Sequence, residues 1–167
     1  MKRIGLLSDT HGFFDPKFLD LFAEVDELWH AGDVGSEAVL DVMEDFKPVR
    51  AVYGNIDDAQ MRRRIPEFQR FVCEGVDVLM THIGGYPGKY PARVKALIAE
   101  SKPDIFLSGH SHILKVMPDK HFNLLHINPG AAGHHGFHAM RTVVRLNINN
   151  AKIGNLEVVE LGRRGRD

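Results

Sequence analysis

Five short clusters, Asp9-Thr10-His11, Gly32-Asp33, Gly54-Asn55, His82 and Gly109-His110-Ser111-His112, each sit where an apolar run ends. No other feature of the chain constrains its fold as much. If the apolar runs are strands of one sheet that stop at a common edge, all five clusters meet in one crevice, the place where open α/β sheets bind ligands. The side chains brought there would be Asp9, His11, Asp33, Asn55, His82, His110 and His112, every one a metal-ligand type.

The segments between the clusters fit that scheme. Ile4 to Ser8 reads as a short buried strand, and Pro16 through Phe22 carries apolar residues at helical spacing with Pro at a first-turn position. Glu27 to His30 reads as a second strand, and Ser36 as the N-cap of a helix through Val39, Leu40 and Met43. Val49 to Tyr53 is a third strand. This β-α-β-α-β order predicts a parallel core with helices on its faces. Phe18, Leu19 and Phe22, and later Val94, Leu97 and Ile98, have the spacing of core-facing helix residues.

Farther along, Arg70–Cys73 and Val76–Thr81 flank Glu74-Gly75, the pattern of a tight hairpin whose second strand delivers His82. The next loop holds Gly84, Gly85, Pro87, Gly88 and Pro91, which places it on the surface near His82 as a substrate-facing loop. A helix over Ala92–Ser101 leads to strand Ile105–Ser108 and the paired histidines. Leu114–Met117, Phe122–Ile127, Thr142–Ile148 and Asn155–Leu161 read as strands joined by turns such as Asp119-Lys120 and Asn149-Asn150, which predicts a second, more antiparallel sheet. No repeat, low-complexity tract or linker divides the 167 residues, so the expectation is one domain over 1–167, two packed sheets with helices outside.

Composition narrows location and partners. No stretch approaches the roughly 20 apolar residues of a membrane span, and the apolar start is cut by Ser8 and Asp9, too short for a signal peptide, so the chain is expected to be cytoplasmic. With 21 basic and 22 acidic residues there is no broad electrostatic footprint for nucleic acid. Two basic runs, Arg62-Arg63-Arg64 and Arg163-Arg164 with Arg166, read as solvated surface, the first being close enough to Asn55 to line a phosphate-binding rim. Cys73 is the only cysteine, which excludes an internal disulfide, a thiolate zinc site and a CxxC redox motif.

A metal site must therefore use N and O ligands. Asp9 and His11 lie two apart past a strand end, so an extended backbone would aim both to one side. His110 and His112 repeat the spacing, with Gly109 leaving room for a sharp turn. Carboxylate, amide and imidazole together suit Mn, Fe, Zn or Mg better than soft copper.

In that order and across most of the chain, the five clusters resemble the signature of calcineurin-like metallophosphoesterases, most of all their small bacterial and archaeal phosphodiesterase branch. The resemblance implies an α/β fold, a two-layer β-sandwich of mixed sheets flanked by helices. It also implies a two-metal site, with Asp9, His11 and His112 around one ion, Asn55, His82 and His110 around the other, and Asp33 bridging. Two divalent ions, Mn first and Fe, Zn, Ni or Mg as alternatives, would hold a bridging hydroxide for in-line attack on a small phosphodiester. A homo-oligomer is compatible with the resemblance.

One departure from the family pattern concerns the leaving group. Many members carry His directly after Gly-Asn, where it can protonate the departing alkoxide, but this chain has Ile56. That leaves the general acid open. Asn55 and Asp57 are the candidate catalytic residues, with Asp57 either orienting Asn55 or a bound water, or capping a helix. His134, His135 and His138 read singly as exposed loop histidines, although each could contact phosphate or supply the missing proton. His30 reads as packed behind the site, and His121 and His126 as turn and strand-surface residues. The competing functions are a non-catalytic scaffold resembling the phosphoesterase-fold subunit of the retromer coat, and a nuclease module, which needs a basic track that the balanced charge does not supply.

Overall fold

Successive strand residues enter different environments, and this alternation builds the layers. In β1 (Lys2–Leu7), Ile4 and Leu6 pack with Trp29, Val78, Met80, Ile105 and Leu107, whereas Leu7 packs with Phe18, Phe22, Leu40 and Met43. In β6 (Ile105–Leu107), Phe106 turns the other way, to Leu79, Val94 and Ile98. The first group is the core between two sheets, and the other two lie beneath the helices on the outer faces. The chain thus folds as helix, sheet, sheet, helix, as expected.

The computed structural model describes residues 1–165; Arg166, the end of the second basic run, lies outside the described residues. The first sheet has the order β10-β9-β1-β2-β3, with β2 at Glu27–His30, β3 at Val49–Ala51, β9 at Met140–Asn149 and β10 at Lys152–Arg163. The second has the order β4-β5-β6-β8-β7, with β4 at Phe68–Cys73, β5 at Val76–Thr81, β7 at Lys115–Asp119 and β8 at Leu124–Asn128. Strands β1, β2 and β3 are parallel, as are β5, β6 and β8. The strands after His112 do not form a separate antiparallel sheet. Instead β9 and β10 extend the first sheet antiparallel to β1, while β7 and β8 complete the second. Both sheets are mixed.

Helices α1 (Lys17–Leu21), α2 (Glu37–Phe46) and α3 (Ala59–Arg64) contribute the core on the outer face of the first sheet, and α4 (Ala92–Ser101) packs on the second. Ser36 caps α2 by accepting from the Val39 N–H. Pro16 stands at the N-cap position of α1, one residue earlier than its first turn, and Leu19 is 45% exposed, because so short a helix buries only its Phe18 face. The Glu74-Gly75 hairpin turns through two left-handed residues, and Asn150-Ala151 does the same between β9 and β10, one residue past the expected turn. Among the described residues no helix is long and apolar enough to cross a membrane.

Candidate metal centre

The five clusters do meet, but at the ends of strands from both sheets: β1, β2 and β3 of the first, β5 and β6 of the second. Backbone hydrogen bonds stitch the loops together, from Asp9 N to Gly32 O at 3.0 Å, from His11 N to Asp33 O at 3.0 Å and from Gly109 N to His82 O at 2.9 Å. The paired ligands are not aligned by an extended backbone, as their spacing suggested. Asp9, His11, Asp33, His110 and His112 all have φ between 47° and 70°, so left-handed turns aim them. A non-glycine residue there is uncommon, and five at one crevice mark conformations that the surrounding packing enforces.

Close approach explains two glycines. A Cβ at Gly54 would lie 2.0 Å from Asp33 Oδ1, and one at Gly109 would lie 2.1 Å from Ser8 Oγ. Gly109 thus serves close approach between the loops more than a sharp turn.

Two groups of ligand atoms result, Asp9 with His11 and His112, and Asp33 with His82 and His110. Asp33 lies between them. Its Oδ2 is 3.2 Å from His82 Nε2 and 3.5 Å from His11 Nε2, while its Oδ1 accepts the Ile56 N–H at 3.1 Å. Asp9 has one oxygen held, Oδ2 accepting from Ser8 Oγ and His110 N, and Oδ1 left facing His112 Nε2 at 3.1 Å. Asn55 Oδ1 and His110 Nδ1 stand 2.9 Å apart at the edge of the second group.

Hydrogen bonds behind the rings decide which nitrogen faces the centre. His82 Nδ1 donates to the Ala31 carbonyl at 2.7 Å, which leaves the Nε2 lone pair of the neutral ring pointing inward. His138 Nε2 donates to the Gly133 carbonyl at 2.9 Å, so neutral His138 accepts at Nδ1 from His112 Nδ1, 3.1 Å away, and His112 too presents Nε2. Burial pushes the His138 pKa down, consistent with the neutral ring this chain of bonds needs. His30 closes a similar network: Nδ1 accepts from Gly32 N, Nε2 donates to Thr10 Oγ1, and Thr10 Oγ1 donates to the Val34 carbonyl.

These residues fit divalent cations. Asp9 Oδ1, His11 Nε2 and His82 Nε2 are buried and lack a hydrogen-bond partner, although the ligand atoms of each group lie within 4.8 Å of one another. Burial would raise the Asp9 pKa, but the His11 and His112 imidazoles hold it well below the usual carboxylate range. For Asp33 too, burial is outweighed by His82 and the Ile56 N–H, and its pKa is lowered. Burial disfavours a charged His82, yet Asp33 and Asp9 raise its pKa. A pocket that stabilises two buried anions and pulls a proton onto a desolvated imidazole favours positive charge.

Asp57 has another place. It is buried, with Oδ2 accepting from Gly54 N and Val34 N and Oδ1 from Gly35 N at 2.8 Å, so its carboxylate fastens loops and lines neither cavity at the centre. It does not cap α3; Asp58 does, accepting from Met61 N. Half-exposed Ile56 and fully exposed Phe137 line the cleft over the ligand groups. His135 stacks on His11 with ring centres 4.7 Å apart, whereas His134 turns away to accept from Gly165 N. His126 is not at the strand surface: it is fully buried beside Tyr86, Tyr90 and Phe106, because the Gly- and Pro-rich loop folds over the second sheet. The residue that sequence spacing missed is His138, whose partner His112 lies 26 positions away.

Residues 1–151 match the sequence profile of the calcineurin-like phosphoesterase superfamily domain. The chain is 33% identical over 136 residues to a probable metallophosphoesterase of Methanocaldococcus jannaschii, covering 77% of this chain and 67% of that one. It is 30% identical over 135 residues to another from Methanothermobacter thermautotrophicus, covering 77% and 76%. Its fold is similar to that of an archaeal phosphodiesterase, with TM-score 0.72 at 22% identity over 94% of this chain and 99% of that one. It is also similar to zinc-complexed Vps29 of Entamoeba histolytica, with TM-score 0.75 at 16% identity over 95% and 98%. The profile match over nine-tenths of the sequence and two relatives at 30% identity or above, both probable metallophosphoesterases, show that the chain belongs to the calcineurin-like phosphoesterase superfamily.

Proposed function

We propose that the protein is a phosphodiesterase that uses two divalent ions, manganese foremost, to hydrolyse small phosphodiesters. One observation carries the reading: three buried ligand atoms, Asp9 Oδ1, His11 Nε2 and His82 Nε2, have no hydrogen-bond partner beside two carboxylates whose pKa values are lowered. When bound, such a pair of ions supplies an activated water and balances charge on the phosphoryl oxygens. Asp9, His11 and His112 would hold one, and His82, His110 and Asn55 the other. Asp33, whose Oδ2 faces both His11 and His82, would be shared.

The chain's own residues set the rest. Ser8 Oγ and His110 N fix one Asp9 oxygen, and His138 and Ala31 fix two rings, so the ligands are oriented before a cation arrives. Ile56 cannot donate a proton, so a phosphoester with a stable leaving group is favoured. The cleft of about 260 Å³ is shallow, which suits a compact ester that binds and leaves freely. That the archaeal phosphodiesterase shares the fold adds support for a diester substrate.

The test is turnover of metal-stripped protein reloaded with Mn, Ni, Mg or Zn, measured on paired aryl diester and monoester substrates. Diester cleavage restored most by Mn is expected. Preferred monoester cleavage would contradict the diesterase reading, and no turnover with any metal would favour a scaffold.

A further inference from the structure

A cavity of about 440 Å³ shares Asn55 with the cleft over the ligand groups and none of that cleft's other lining residues. Its size is that of a small-molecule site. Part of its wall is apolar: Tyr53 follows β3, Phe68 opens β4, Ile83 follows His82, and Val94 comes from α4; Glu67, Thr81 and His82 line the rest beside two arginines, so the cavity borders the metal centre. Two guanidinium planes cover aromatic rings there, Arg62 over Tyr53 at 4.7 Å and Arg93 over Phe68 at 4.6 Å.

The two arginines are not equivalent. Arg93 is paired with Glu67 at 2.8 Å. Arg62 donates from Nε to the Asp57 carbonyl at 2.8 Å and from an outer nitrogen to the Asn55 carbonyl at 3.3 Å, so among the described residues its partners are backbone oxygens and no carboxylate. It is a fixed cation directly behind Asn55, with its charge open to an anion. Planar, weakly hydrated guanidinium groups and aromatic faces favour a flat ring over an alkyl chain, and the open charge favours a ring that carries a phosphoryl group.

We infer that this cavity seats the flat organic group of the substrate, an aryl ring or a nucleobase, while Arg62 draws the attached phosphoryl group to Asn55. The inference rests on the phosphoesterase reading of the neighbouring centre for its chemistry, but ring binding in the cavity needs no metal. It makes the protein selective for aromatic or nucleotide esters over simple alkyl ones.

The experiment is a ¹H–¹⁵N NMR titration of the chelator-treated full chain with phenyl phosphate, adenosine 5′-monophosphate and methyl phosphate. The two ring-bearing probes are expected to shift the Tyr53, Ile83 and Val94 amides saturably, and methyl phosphate is expected to leave those amides unmoved. Arg93→Ala, whose side chain is 67% exposed, keeps the fold and should raise the Kd for phenyl phosphate roughly fivefold. Phe68→Ala should raise it roughly tenfold. Shifts confined to Ser111 and Gly136, equal shifts from methyl phosphate, or an unchanged Kd in both variants would overturn the inference. Ring binding at these amides in a protein that cleaves no ester with any metal would support the cavity and refute the phosphoesterase reading; ester cleavage without these shifts would do the reverse.

Discussion

His112 presents Nε2 to Asp9 because His138 accepts at its other nitrogen, and His138 can accept because its own N–H is taken by Gly133. An imidazole so oriented loses little freedom when it binds a cation, which is why residues behind the ligands matter to affinity. His138→Ala is expected to lower Mn affinity by about 10- to 100-fold, read by direct metal titration, while the unfolding midpoint in chelator stays near that of the parent. His138→Asn, whose side-chain oxygen can accept from His112, should recover part of the loss. Unchanged affinity in the alanine variant would remove His138 from the site. That the seven candidate positions come together was legible in the sequence because each follows an apolar run. His138 was not, since no local pattern links a loop histidine to a ring 26 residues earlier. The left-handed φ of Asp9, His11, Asp33, His110 and His112 was equally hidden, because non-glycine residues give no local sign of it.

Among the elements, β2, β5 and α4 begin and end where the sequence pattern placed them, and the other strands do so within three residues. Strand partners were less readable. Alternation in β9 (Met140–Asn149) shows that both faces are occupied but not that its neighbour is β1, more than a hundred residues away. The loops at the strand ends depend on Asp57, which joins the segment after β2 at Val34 and Gly35 to the segment after β3 at Gly54. Asp57→Ala leaves three backbone N–H groups without their acceptor and should cost about 3 kcal/mol in denaturant unfolding. It should also weaken metal binding, because Asn55 and Asp33 lie on the loops it fastens. Asp57→Asn should lie between the two. A loss below about 0.5 kcal/mol in the alanine variant would show that water or other groups replace the clamp.

For the whole molecule, two histidines buried away from solvent tie stability to pH. Burial pushes both His30 and His126 down to about 4, against an unfolded value near 6.5. Below about 6.5 the unfolded chain takes up protons that the folded one refuses, so stability is complete above that value and falls as pH drops to about 4. The loss by pH 4 is about 3 kcal/mol for each ring. His126→Phe, at a site walled by Tyr86, Tyr90 and Phe106, should flatten roughly half of this decline in chelator-treated protein, measured by urea unfolding between pH 7 and pH 4. An unchanged slope would place His126 in contact with water.

The sandwich brings strand ends from both sheets to one crevice, and that crevice is expected to hold metal. Elemental analysis of the protein after Mn loading and removal of unbound ion measures it directly. The parent chain should retain about two ions, and Asp33→Asn, which removes the carboxylate between the two ligand groups, should retain far less while staying folded. A parent chain that retains no metal, or an Asp33→Asn variant that retains as much as the parent, would contradict the account.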